Sequence, residues 1–293
     1  PACFCSADFP SRAFEFSRDT RSLSFFATLV MWPILFSVGS FEMGSYGVML
    51  VVAAFAALGL AVVLGRRDGF PSKQVVDIGV FTLFAGIAGT KILGVIVQLA
   101  TGVPFTLADL RTAGAVHGGL LGGLIGIVLL ARYYKLSLPL LTDTYAPAAA
   151  LGIAIGRIGC FLAGCCFGTE SHLPWAVTYT DPAAVTLGGV TLGIPVHPVQ
   201  LYDTLAHVLV CLVLVTLHRK NLLRGALVGP WCILEGLTRF SVESFRGDLG
   251  RGVWFEISWL STGRVTAILL VVIGVALLAF RDKWKPPAAT ALA

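Results

Sequence analysis

Residues 144–167 read TYAPAAALGIAIGRIGCFLAGCCF. The run carries a single formal charge, Arg157, among mostly Ala, Gly, Ile and Leu. A helix needs ~20 such residues to cross the hydrocarbon core of a bilayer. A guanidinium in the middle of that run costs at least ~2.5–3.5 kcal/mol on insertion scales. Arg157 therefore marks a cavity, a site or an internal ion pair, and the stretch sets the class as a membrane helix whose one charge needs a partner.

The rest of the chain has the same character. Its 293 residues are 56% hydrophobic and 13% charged, with a mean hydropathy of +0.86. Soluble domains carry about 25% charged residues, and half that density leaves a water-facing surface of this size uncovered. Disorder is excluded by the same composition. A nucleic-acid partner is excluded too: a net charge of +5 is a small excess, and positive charge in a membrane protein gathers in cytoplasmic loops.

Working outward, apolar runs of spanning length recur at 44–64, 78–100, 115–133, 199–217, 226–245 and 262–280. With 144–167 they predict an all-α polytopic bundle of about seven transmembrane helices. Residues 25–38 are apolar but short and interrupted by Pro33, which predicts an interfacial or re-entrant piece. The expected organisation is an external arm over 1–24, one transmembrane domain over 25–284 and a cytoplasmic tail over 285–293. A small, hairpin-like external cap over 168–197 is expected, built around Leu187-Gly188-Gly189-Val190.

Charge orients the bundle. One set of alternating loops holds Arg66, Arg67, Lys73, Arg132, Lys135, Arg219, Lys220, Arg224, Arg281, Lys283 and Lys285; the other holds Arg111, Arg246, Arg251 and Arg264. The positive-inside rule puts the first set in the cytoplasm, the N-terminus outside and the C-terminus inside. Small residues recur every four positions at Gly118, Gly122 and Gly126, at Gly152 and Gly156, and at Gly86, Thr90 and Gly94. Each row offers a smooth face for close helix contact.

Lys91, Arg157 and Arg239 fall inside spans. Glu235, Arg239, Glu243 and Arg246 are spaced by four, four and three residues, so they share a helix face and alternate in sign. Such a stripe is expected to face a hydrated cavity, because a dry interface would bury four charges for little gain. Gln200, Asp203 and His207 also share a face, with His197 and Tyr202 near its outer end, and His117 opens another helix. In the expected orientation these groups form one layer near the outer surface. Cations for a phosphate and a proton-transfer group at headgroup depth suit a lipid-headgroup transferase. Arg157 and Arg246 suit the phosphate, and His117, with a side-chain pKa naturally near neutrality, suits the base. A membrane transporter with a charged cavity is the alternative, although no inverted repeat is visible and the charge gathers toward one surface. Cys160, Cys165, Cys166 and His172 match no common zinc spacing, so no metal is expected and the cysteines are read as small interface residues.

Ala115-Val116-His117-Gly118-Gly119-Leu120, Gly156-Arg157-Ile158-Gly159, His197-Pro198-Val199-Gln200-Leu201-Tyr202 and Val242-Glu243-Ser244-Phe245-Arg246 follow in one order and spacing. In these the chain resembles the prolipoprotein diacylglyceryl transferases, from about residue 32 to 284. Ser45-Tyr46-Gly47-Val48-Met49 is similar to that family's first-helix motif. The resemblance implies a cofactor-free enzyme of the bacterial inner membrane. It would move a diacylglyceryl group from phosphatidylglycerol, in the outer leaflet, to the lipobox cysteine of a preprolipoprotein. The partners implied are that lipid, the preprolipoprotein signal peptide and the surrounding membrane lipids. His117, Arg157 and Arg246 are the catalytic residues it implies. Tyr46, Lys91, Gly118, Gly119, Gln200, Tyr202, Glu235, Arg239 and Glu243 join Arg157 as the expected substrate-binding set.

The chain departs from the family pattern where Gly-Asn-Phe-x-Asn-Gly-Glu is usual: here the residues are Gly159-Cys160-Phe161-Leu162-Ala163-Gly164-Cys165. Lys91 stands where an Arg is usual, Glu235 where a Tyr is usual, and Gly247-Asp248 where Pro-Asp is common. A diverged transferase with another acceptor is therefore a further alternative. The loop asymmetry generates a topology prediction. A reporter fused after Lys285 should read cytoplasmic and one inserted near Gly188 external; the reverse pattern would move the polar layer to the inner leaflet.

Overall fold

A computed structural model describes residues 32–39, 41–100, 116–247 and 261–283. Eight α-helices lie among them: α1 (Ser45–Arg67), α2 (Ser72–Ala100), α3 (Val116–Tyr133), α4 (Leu138–Ala163), α5 (Pro182–Gly188), α6 (Val199–Arg219), α7 (Val228–Glu243) and α8 (Thr262–Ala279). Five of these, α1, α2, α4, α6 and α8, are long and apolar enough to cross a membrane. The apolar part of α3 is shorter. α7 has 16 residues and carries Glu235, Arg239 and Glu243.

Large side chains such as Phe55 (72% exposed), Phe84 (63%) and Leu205 (63%) point outward. A soluble protein rarely leaves so much apolar surface uncovered, and the protein is a multi-pass membrane protein. Packing runs α3–α2–α1–α4–α6–α7–α8, so α4 and α6 lie in the middle.

α2 and α3 meet backbone to backbone. A Cβ on Gly118 would strike the Gly89 carbonyl, and one on Gly122 would strike the Ala85 carbonyl and lie 3.1 Å from Gly89 Cα. Direct approach of this kind is what small residues provide in lipid, where no hydrophobic force pulls helices together. The four-residue row on α3 is used as expected, with Ala85, Gly86 and Gly89 among its partners on α2.

One end of the bundle is basic and tied together. Asp68 receives hydrogen bonds from Thr144 Oγ1 (2.9 Å) and pairs with His218 Nε2 (2.8 Å). Arg67 donates to the Arg219 carbonyl at 2.8 Å, and Asp143 accepts from the backbone amides of Gly225 and Leu227. Tyr134 donates to Asp77 at 2.9 Å, and that bond to a carboxylate raises the phenol above its ordinary pKa. At the opposite end, α4 stops at Gly164, whose φ of +76° a side chain would strain.

The fold class is all-α, with two small hairpins beside the helices: β1 (Ile34–Val38) pairs antiparallel with β2 (Phe41–Gly44), and β3 (Val177–Thr178) with β4 (Pro195–Val196). Ile34–Val38, within the stretch expected as an interfacial or re-entrant piece, is a strand of the first hairpin; the register Ser37↔Glu42 and Val38↔Phe41 closes on Gly39, which has φ +61°. Residues 25–31 lie outside the described residues, as do the 1–24 arm and the 285–293 tail. Within 168–197, antiparallel β3 and β4 enclose Leu187-Gly188-Gly189-Val190, and the helix α5 lies between the two strands. Asp181 caps that helix by accepting from the Ala183 amide at 2.8 Å, and Pro182 preorganises its first turn.

The α2–α3 contact can be tested by adding a single methyl. Gly122→Ala should cost about 1–3 kcal/mol from overpacking. Gly152→Ala should be nearly neutral, because its Cβ would sit 3.4 Å from Ala57 Cβ. Thermal unfolding in detergent checks both, and equal melting temperatures would refute the close approach.

Candidate active site

Arg157 does not stand alone. Its Nε lies 2.6 Å from Asp203 Oδ2. Asp203 Oδ1 lies 2.9 Å from His207 Nδ1, and His207 Nε2 lies 2.8 Å from Glu235 Oε2. A continuous polar relay thus crosses from α4 through α6 to α7. Helix periodicity explains the middle of it: Asp203 and His207 are one turn apart on α6, so both point the same way. Thr204 Oγ1, 3.2 Å from the Ala154 carbonyl oxygen, joins α6 to α4 just beside the relay.

Both ring nitrogens of His207 face only oxygen acceptors: Nδ1 lies 2.8 Å from the Asp203 carbonyl oxygen as well as beside its carboxylate, and Nε2 faces Glu235. With an imidazolium, the four groups sum to zero charge. Asp203 and His207 are buried, with side chains 4% and 2% exposed. A neutral, fully paired network is the form in which such burial is tolerable.

Further cations gather around it. Arg239 Nη2 lies 3.4 Å from Glu243 Oε2, and Glu243 Oε1 accepts from Ser261 Oγ at 2.8 Å. Arg239 acts electrostatically on Asp203, and Arg246 on Arg157. Arg246 is held by its backbone, which bridges to Gly168, while the Thr169 amide donates to the Phe245 carbonyl at 2.9 Å. The end of α7 is thereby stitched to the segment that follows α4.

The cap closes over this layer. Gln200 Nε2 donates to the Cys165 carbonyl (2.7 Å) and to Tyr179 Oη (3.1 Å). Burial pushes the Tyr179 phenol above its ordinary pKa, against the opposing effect of Gln200. Tyr202 Oη accepts from Trp175 Nε1 at 2.7 Å, and its ring clusters with His197 and Phe245. Below that cluster, Tyr202, Ala206, Leu237, Thr238, Ser241, Val242 and Phe245 line a groove of ≈ 390 Å³ between α6 and α7.

Of the residues expected at a site, Arg157, Gln200, Tyr202, Glu235, Arg239, Glu243 and Arg246 belong to this end of α4, α6 and α7. Tyr46 opens α1 and packs on the last turn of α4, 3.3 Å from where a Gly159 Cβ would stand. Gly118 and Gly119 lie in the α2–α3 contact; a Gly119 Cβ would stand 2.5 Å from Thr90 Oγ1. Lys91 is half-buried on α2, which packs against α1 and α3. His117 is on the first turn of α3, and its side chain lies outside the described residues. The expected pairing along α7 holds for Arg239 with Glu243, while Glu235 turns to His207 instead. The groove uses a different face of α7 from that ionic stripe.

Asp203 and His207 are the residues that sequence reasoning saw on one face but left out of the site. The available signal was charge balance: Arg157 needs an anion at the same depth, and Asp203 is the acid on a facing polar stripe.

The comparisons with known proteins fit this geometry. The family profile described as prolipoprotein diacylglyceryl transferase matches residues 33–280. The chain belongs to that family. A phosphatidylglycerol–prolipoprotein diacylglyceryl transferase of Clostridium tetani (strain Massachusetts / E88) is 30% identical over 248 residues, covering 84% of this chain and 96% of the relative. One from Clostridium kluyveri (strain ATCC 8527 / DSM 555 / NBRC 12016 / NCIMB 10680 / K1) is 31% identical over 224 residues, 74% and 86% respectively. One from Solidesulfovibrio magneticus (strain ATCC 700980 / DSM 13731 / RS-1) is 30% identical over 256 residues, 85% and 94%. Family membership thus covers the helices that carry the relay.

The relay predicts strong coupling. Asp203→Ala should destabilise the protein by about 3–5 kcal/mol, since it leaves buried cations uncompensated. Adding His207→Ala to that variant should cost less than it does alone, with a coupling of about 0.5–3 kcal/mol. A double-mutant cycle by thermal or denaturant unfolding in detergent measures it, and additivity would show that the two groups do not interact.

Proposed function

We propose that the protein transfers a diacylglyceryl group from phosphatidylglycerol to the thiol of the lipobox cysteine of a preprolipoprotein. The observation that carries this reading is Arg157, aligned by Asp203 and flanked electrostatically by Arg246, at the end of the bundle opposite the basic loops. In this reading the seven longer helices all span the bacterial inner membrane, with the N-terminus outside and the C-terminus in the cytoplasm. The relay then lies in the outer half of the membrane, beneath the outer-leaflet headgroups.

The chemistry follows from the charges. Arg157, Arg239 and Arg246 bring three guanidiniums to one end of the bundle, the donors that a phosphate needs. Arg157 spends Nε on Asp203 and keeps its terminal N–H groups for phosphate oxygens. In the transfer, the acceptor thiol loses its proton and the sulfur attacks the diacylglyceryl carbon bonded to the phosphate oxygen. That C–O bond breaks, a C–S bond forms, and glycerol phosphate departs with the electron pair. Guanidiniums aimed at the phosphate stabilise the charge that develops on the leaving group. His117 is the proposed base, Gln200 and Tyr202 hold the cap over the headgroup, and the α6–α7 groove receives an apolar chain. Tyr46, Lys91, Gly118, Gly119 and Glu235 complete the proposed lining, the two glycines by letting α3 approach α2.

Transfer from labelled phosphatidylglycerol to a lipobox peptide by the purified protein tests the reading, and absence of any thioether product would overturn it. Arg157→Lys should lose most activity and weaken lipid binding, because the planar fork matters as well as the charge. His117→Gln should keep lipid binding and slow transfer by on the order of 10²–10⁴-fold. Raising the pH should partly rescue it, since more acceptor thiol ionises unaided. A near wild-type rate for His117→Gln would remove it as the base and leave Arg157 in place.

A further inference from the structure

The turn that follows α4 contains a cluster that the transferase reading does not use. α4 ends with Cys160 in its last turn. Gly164 at φ +76° and Cys166 at φ +58° then turn the backbone back over that end. The Cys165 amide donates to the Cys160 carbonyl at 3.1 Å, which fixes the turn. As a result the sulfurs of Cys160, Cys165 and Cys166 all lie within 4.8 Å of one another. Sequence spacing gave no hint of this, because a left-handed turn rather than a regular repeat brings them together. His172, grouped with them on sequence grounds, is 87% exposed and is not part of the cluster.

We propose that Cys160, Cys165 and Cys166 form a three-thiolate site for a single thiophilic metal ion, with Zn²⁺ as its ordinary occupant. The spacing fits. Zn–S bonds of about 2.3 Å require sulfur–sulfur separations of roughly 3.8–4.0 Å, so closure from the observed limit needs a shift of under about 1 Å. Charge fits too. Zn²⁺ with three thiolates carries one negative charge, and Arg157 lies three residues before Cys160 on the same helix.

Access fits as well. Cys160 and Cys165 are buried while Cys166 is partly exposed, which leaves an entry path. Among the described residues, Cys166 is one of four non-glycine residues held at positive φ. That conformation costs of order 1–3 kcal/mol, and such outliers concentrate at functional sites. Binding releases the thiol protons to solvent and leaves a fourth tetrahedral position for water or another outside ligand.

The full-length protein in detergent, reduced and exchanged anaerobically into metal-free buffer, is titrated with Co²⁺ and then with Zn²⁺. One equivalent of Co²⁺ should raise a thiolate-to-metal charge-transfer band that Zn²⁺ abolishes, and Zn²⁺ should raise the melting temperature. Cys160→Ser, Cys165→Ser and Cys166→Ser should each weaken binding by at least about tenfold, a loss that even outer-shell partners of a metal site can cause. A Cys211→Ser/Cys232→Ser control should bind as the wild type does. Absence of the band in the reduced wild-type protein overturns the proposal without reference to any variant. So does equal binding by the triple serine variant. No lipid or acceptor enters the assay, so its failure would leave the transferase reading standing.

Discussion

The ion pair between Arg157 and Asp203 is the constraint around which the rest of the structure is arranged. Neither charge is tolerable in a bilayer interior alone, so α4 and α6 must bring them to the same depth and hold them 2.6 Å apart. That requirement places α4 and α6 at the centre of the bundle. It also recruits α7, because the second oxygen of Asp203 needs a donor, His207 supplies it, and His207 then needs Glu235. A single guanidinium in an apolar run thus specifies three helices and their relative rotation.

The two ends of the bundle solve different problems. At the basic end, Asp68, Asp143 and His218 satisfy backbone and side-chain groups of neighbouring helices, and the surplus Lys and Arg remain at the surface. At the other end the cations are turned inward, against Asp203 and Glu243, under a cap sealed by Gln200, Tyr179 and Trp175. An inward-facing cationic layer beneath a cap is a place for an anion carried by an amphipathic molecule. The apolar groove on the adjoining face of α7 is suited to such a molecule's tail. The cysteine cluster sits on the flank of the same layer, in the left-handed turn that follows α4.

Much of the architecture was legible in the residues because bilayer physics is nearly one-dimensional. Length, hydropathy and the cost of intramembrane charge locate helices such as α1 and α4 with little ambiguity. The four-residue glycine row on α3 announces a close contact for the same reason. Shorter elements were harder. The hairpin at Ile34–Gly44 lies in an apolar stretch whose strand character depends on its partner, and the cap helix depends on an Asp-Pro pair within a polar loop.

Sequence alone determined that this is a membrane protein, which helices carry charge, which charges share a face and which family the motifs resemble. Periodicity within one helix and hydropathy along one chain are local properties, so they can be read without coordinates. Only the tertiary structure decided who pairs with whom: Glu235 with His207 instead of Arg239, Asp203 with Arg157, and three cysteines with one another. Those choices depend on the rotation of each helix against its neighbours and on one left-handed turn after α4. Both are set by packing and backbone geometry between segments far apart in the chain, where spacing carries no information.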